Sequence, residues 1–119
     1  MPSNLDNLGI TNSAMAAVNA MAARGPLTPI TTTSYNISNK DVGKYLRFTA
    51  AGAVVATVRQ DSVGGALTVG SEITVEAGGA GGTTVTAGTG VTFHGVSGAL
   101  AQYAVCRVRK TAANTYTLY

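Results

Sequence analysis

Tryptophan is absent from this chain of 119 residues, and cysteine and histidine occur once each. With Cys106 alone, no internal disulfide can form, and nothing calls for an oxidising compartment. Cys106 alternates with Val108 in a strand-like run and reads as a small buried hydrophobe. A lone His94 leaves any metal centre short of ligands, because such centres gather several nitrogen, sulfur or oxygen donors. A Cys–His nucleophile pair fails too, since the alternation points Cys106 inward and His94 outward. No metal, no cofactor and no enzymatic activity are expected.

Charge is also scarce. Charged residues are 11% of the chain, about half the usual share. The net charge is +3, and the eight Lys and Arg are scattered from Arg24 to Lys110. An excess this small and this dispersed argues against a nucleic-acid partner. No Asp or Glu follows Glu76, whereas Arg107, Arg109 and Lys110 cluster near the end. The plain reading is a solvated strand face; the sharper one is a contact with an acidic partner surface. A surface poor in charge suits burial against another protein, because interface cores are depleted of charge. No apolar run is long enough to span a bilayer. The start, Met1-Pro-Ser-Asn-Leu-Asp6, lacks the cationic and apolar segments of a secretory signal. The expectation is a soluble protein made in a cytoplasm, with no membrane partner.

What the chain does have is a series of short runs of Val, Ile, Thr, Tyr and Phe, broken by Gly. Lys44 to Thr49, Ala53 to Arg59, Glu72 to Ala77, Thr83 to Ala87, Val91 to His94, Tyr103 to Lys110 and Thr115 to Tyr119 each read as one strand. With no helical segment between them, they predict an all-β body of antiparallel strands, a sandwich or jelly roll. Period-two alternation sorts the faces. Leu46 and Phe48, Val54, Ala56 and Val58, Ile73 and Val75, Val85, Val91 and Phe93, Cys106 and Val108, and Tyr116 and Leu118 point inward. These are mostly Val and Ala, which predicts a thin core and help from neighbouring copies. Gly88-Thr89-Gly90 reads as a tight hairpin turn, and Gly78 to Gly82 as a hairpin tip.

The first third differs in composition. Ser13 to Arg24 is rich in Ala and Met and predicts a short helix over about residues 13–24. Asn12 or Ser13 supplies its cap and Gly25 its end. Met15, Val18 and Ala22, with Met21 at the edge, form one face that needs a docking surface, because about three helical turns are marginal alone. Pro26 to Ser34, with Pro26, Pro29 and three consecutive Thr, reads as an extended connector. Residues 1–34 thus predict an arm that reaches from a body at residues 35–119; the alternative is that it wraps back on its own subunit.

Catalytic patterns fail one by one. Glu72 and Glu76 share a strand face about 13 Å apart, too far for paired carboxylates, and are expected to be solvated or paired with Arg across a strand. Asp41 reads as a turn residue bonding local backbone. The glycines at 78–82 lack the Lys-Ser or Lys-Thr and the helix of a phosphate loop. Tyr35, Tyr45, Tyr103, Tyr116 and Tyr119 interleave with Arg, a pairing enriched at protein interfaces. The candidate interface residues are therefore Met15, Val18, Met21, Leu27 and Ile30 from the arm, and Tyr45, Arg47, Arg59, Arg107 and Arg109 from the body.

Asp41-Val-Gly-Lys-Tyr-Leu-Arg-Phe48, Val69-Gly-Ser-Glu-Ile-Thr-Val75, Gly79-Ala-Gly81, Val85-Thr-Ala-Gly-Thr-Gly-Val-Thr92, Gln102-Tyr-Ala104 and Asn114-Thr-Tyr-Thr-Leu118 stand in fixed order. In that order they resemble a small β module of tailed-bacteriophage tail-fibre and virion-surface proteins, over roughly Tyr35 to Tyr119. Tyr116 stands where that module commonly has Trp. As a stand-alone body with an arm, the chain resembles head decoration (cement) proteins. The resemblance implies a homotrimer on the major capsid protein, outside the phage head and assembled in the host cytoplasm. The runner-up it implies is a tail-fibre or spike component that meets tail proteins or a host surface receptor.

Overall fold

In a computed structural model, residues 26–119 are described and form ten β-strands and two short 3-10 helices. The expected helix over residues 13–24 and its face of Met15, Val18 and Met21 lie outside the described residues. The strands are β1 (Leu27–Ile30), β2 (Ser34–Ile37), β3 (Tyr45–Phe48), β4 (Val54–Val58) and β5 (Glu72–Ala77), then β6 (Thr83–Ala87), β7 (Thr92–Gly95), β8 (Ala99–Leu100), β9 (Val105–Ala112) and β10 (Thr115–Leu118). They make a six-stranded sheet in the order β1-β3-β5-β9-β10-β7 and a four-stranded sheet in the order β2-β4-β6-β8.

The seven expected strands are all present. The expected antiparallel pairing is not. Five of the eight ladders are parallel: β1 with β3, β3 with β5, β2 with β4, β4 with β6, and β10 with β7. From β1 to β6 the chain passes from one sheet to the other and back, so each crossover between parallel neighbours is a strand of the opposite sheet. A parallel pair needs a crossover of a dozen or more residues. Here Tyr45 pairs with Thr74, 29 positions on, so no helix is required to span the gap. Only β5–β9, β9–β10 and β6–β8 run antiparallel.

Two turn assignments change for the same reason. Gly88-Thr89-Gly90 is not a hairpin, because β6 and β7 lie in different sheets. Gly78 to Gly82 likewise joins β5 to β6 across the sheets and stacks on the preceding crossover. A Cβ on Gly79 would lie 1.9 Å from the Ala50 carbonyl oxygen, and one on Gly81 would lie 2.3 Å from the Gly52 carbonyl carbon.

The connector is also corrected. Leu27–Ile30 is a paired strand of the six-stranded sheet, so at least this part of the expected arm wraps onto its own body. Pro29 explains why the sheet stops there. Tyr45 and Thr49 donate to the carbonyls of Pro26 and Ile30, so position 29 faces away from β3, and Pro has no N–H to offer a further strand.

The inward residues of both sheets join one core: Leu46, Phe48, Val54, Ala56, Val58, Ile73, Val75, Val85, Cys106, Val108, Tyr116 and Leu118, with Ile30, Ile37 and Leu67 added. Val91 and Phe93 are partly buried against it. The core is not mostly Val and Ala. Its largest fully buried side chains are Tyr116, Phe48, Leu46, Ile73 and Leu118. Phe93 and Tyr116 meet edge to face at 6.2 Å, as do Tyr35 and Phe48 at 5.7 Å. Burial pushes the Cys106 thiol up to about 11, which leaves it protonated and unreactive at neutral pH.

Candidate functional site: the outer face of the six-stranded sheet

The strand register brings scattered residues together. One row across the sheet reads Leu27, Tyr45, Thr74, Arg107, and the next reads Pro29, Arg47, Glu76, Val105. A third runs Glu72, Arg109, Thr117, His94. Five of the expected interface residues, Leu27, Tyr45, Arg47, Arg107 and Arg109, therefore share one face, although they come from three strands. Ile30 does not belong there. It alternates inward opposite Phe48 and is buried in the core, so its place on the interface is withdrawn. Arg59 follows β4 in the other sheet, half-buried, and its Nε has no partner among the described residues.

The face is electrostatically organised around its two carboxylates. The Tyr45 hydroxyl donates to Glu76 Oε1 at 2.6 Å and Arg47 Nε donates to Oε2 at 2.9 Å. The hydrogen bond from Tyr45 holds the Glu76 carboxyl below the usual range, with Arg47 adding to it. Burial, reinforced by Glu76, pushes the Tyr45 phenol up to about 12. Arg47 lies over Gly78, where an added Cβ would sit 3.1 Å from its guanidinium carbon. Glu72 accepts a short hydrogen bond from the Tyr119 hydroxyl and lies 3.8 Å from Arg107 Nε. Arg107 in turn stands 6.0 Å from the centre of the Tyr119 ring. Both glutamates are thus paired across strands with Arg, the second of the two alternatives expected of them.

A second cluster was missed. Lys110 shares the parity of Cys106 and Val108, and that alternation places it inward, away from the solvated strand face expected for it with Arg107 and Arg109. It is buried. Its Nζ donates to Asp61 Oδ1 at 2.8 Å and to the Leu67 carbonyl at 2.6 Å, and stands 5.9 Å from the Tyr116 ring centre. The Asp61 N–H donates to Asn114 Oδ1 at 2.7 Å, and the Asn114 N–H returns a bond to Asp61 Oδ2 at 3.3 Å. These bonds latch the segment after β4 onto the β9–β10 turn. The Lys110 hydrogen bond lowers the Asp61 carboxyl. Burial, then the Asp61 charge, raises the Tyr116 phenol. Asp41 bonds local backbone as expected, accepting from Ser38 N–H at 3.1 Å, and also takes the Tyr35 hydroxyl at 2.7 Å.

Among the described residues, no three of His, Cys, Asp and Glu gather where they could hold a metal ion, and no helix is long and apolar enough to cross a membrane. His94 is exposed and Cys106 buried. Comparisons with protein-family models, curated proteins and solved structures return no match.

The lowered carboxyls predict acid sensitivity. Asp61 and Glu76 hold protons less readily folded than unfolded. Their stabilisation is therefore complete above the ordinary carboxylate range and is lost as the pH falls through their lowered values. The melting temperature should stay level from about pH 8 to 5 and drop below about pH 4. In Glu76→Gln that drop should shrink; a drop as large as in the parent protein, measured by circular dichroism melts, contradicts the assignment.

Proposed function

We propose that this chain is a structural virion protein, a decoration or cement protein on the outside of a tailed-phage head, where it binds the major capsid protein as a homotrimer. Its two sheets act as the layers of a sandwich, and one layer presents the attachment face. The observation that carries the reading is the convergence of Leu27, Tyr45, Arg47, Arg107 and Arg109 on the outer face of the six-stranded sheet. Leu27 is 65% exposed there. A paired Tyr–Arg–Glu lattice with exposed apolar neighbours has the composition of a binding surface. Repetition around a shell would add many modest contacts into firm attachment.

Purified particles test it. Electron microscopy with a labelled chain should place it on the head, in copy number proportional to the capsid subunits, and light scattering of the free protein should give a trimer. Label confined to the tail would replace this reading with the tail-fibre or spike component. A small-molecule turnover that purifies with a monomer would end both.

A further inference from the structure

Among the described residues, the outer face has spent its negative charge. Glu76 is engaged by Tyr45 and Arg47, and Glu72 by Tyr119 and Arg107. Arg47 uses only Nε in its bond to Glu76, which leaves the ends of a guanidinium already held in place over Gly78. Arg109 makes no ion pair among the described residues. What this surface offers a partner is therefore cationic, on a framework that needs little reordering. A fork of fixed N–H groups suits a carboxylate.

Tyr103 is the second, independent observation. Its N–H donates to the Ala77 carbonyl at 2.5 Å, so it lies beside the end of β5, next to the row that holds Glu76 and Val105. Its φ is 70°, a left-handed conformation that costs a residue with a Cβ about 1–2 kcal/mol. Yet Tyr103 is 67% exposed, and its neighbour Val105 is 49% exposed. The strain gains little burial among the described residues. A strained, exposed aromatic at the end of β5, next to the Gly78 over which Arg47 is held, is the make-up of an interface anchor.

We infer that this face docks an acidic protein surface, with Tyr103 as the apolar anchor and Arg47, Arg107 and Arg109 as the groups that meet its carboxylates. The inference rests on the attachment reading above and names the chemistry of the partner. The full chain should bind a labelled peptide of alternating Glu and Thr saturably, and a peptide of alternating Gln and Thr weakly or not at all. Binding should weaken as salt rises from about 50 to 200 mM. Arg109→Glu and Tyr103→Asn should each weaken it about fivefold or more, while Lys40→Glu, an exposed cation off this face, should leave it unchanged. Asn tolerates the left-handed conformation, so Tyr103→Asn should melt no lower than the parent, which separates lost contact from lost folding. Absence of saturable binding overturns the inference. So does equal weakening by Lys40→Glu, or duplex DNA binding as tightly as the acidic peptide. Particle attachment is scored separately: peptide binding without attachment refutes the decoration role and spares the face, and attachment without peptide binding does the reverse.

Discussion

Gly79→Ala should destabilise the protein more than any other single methyl group added to its turns. The new Cβ would lie 1.9 Å from the Ala50 carbonyl oxygen and 2.8 Å from the Ala50 carbonyl carbon. These are backbone atoms of the neighbouring crossover, so no side chain can rotate away. The 49–53 and 78–82 crossovers would have to separate by more than an ångström. That separation pulls on the Gly78 N–H bond to Phe48 (2.8 Å) and the Val54 N–H bond to Gly82 (3.1 Å), and with them on the β3–β5 and β4–β6 ladders. The expected loss is about 3–5 kcal/mol, at the severe end for a point substitution. For a body of this size that lowers the melting temperature by roughly 15–30 °C. Gly43→Ala is the control. Gly43 has a φ of 75° and nothing within 4 Å of its added Cβ, so only backbone strain of about 1 kcal/mol applies. Urea unfolding of the two variants decides it: equal midpoints would mean that the crossovers do not stack as described.

The second large effect concerns the latch. The Lys110 side chain is 5% exposed and the Asp61 side chain 30%. The two partners should therefore differ when removed. Asp61→Ala leaves an ammonium buried with the Leu67 carbonyl and the Tyr116 ring but no counter-charge, and it releases Asn114 as well. Removing the counter-charge of a buried ion costs about 3 kcal/mol or more. Lys110→Met replaces the ammonium with an apolar chain of similar length. Asp61 then keeps its Asn114 bonds and partial access to water, and the main loss is the hydrogen bond to Leu67, about 1–2 kcal/mol. In the Lys110→Met background, Asp61→Ala should cost much less than it does alone, because no buried charge remains to be stranded. A larger loss for Lys110→Met than for Asp61→Ala, measured by chemical denaturation, would show that the ammonium reaches water.

Most of the core was legible from local pattern. The period of two marks which residues of each strand face inward, and Leu46, Phe48, Ile73, Val75, Cys106, Val108, Tyr116 and Leu118 are all buried. Lys110 obeys the same parity, and its ion pair with Asp61 lets the charge sit there. β1 escaped notice because Pro29 and the run of Thr read as connector; in fact Pro suits an edge strand that ends a sheet. β2 lies almost wholly in the expected body, where the short run Tyr35-Asn-Ile37 carries little β signal. Within the site, pairing of the glutamates with Arg was one of the two alternatives their place on a strand face allowed, whereas the strained backbone of Tyr103 left no trace in residue type, since Tyr is an uncommon occupant of that conformation.

The sequence by itself determined that the body is β, where most of its strands run and which side chains their alternation buries, because those properties depend on residues two positions apart. Which strands become neighbours was decided by the tertiary structure alone. Parallel partners stand as far as 29 positions apart, no turn between them specifies the pairing, and the choice depends on how well the crossovers stack. That stacking puts Gly79 against Ala50. It also carries Leu27, Tyr45, Arg47, Arg107 and Arg109 onto one face, which no short-range pattern could have assembled.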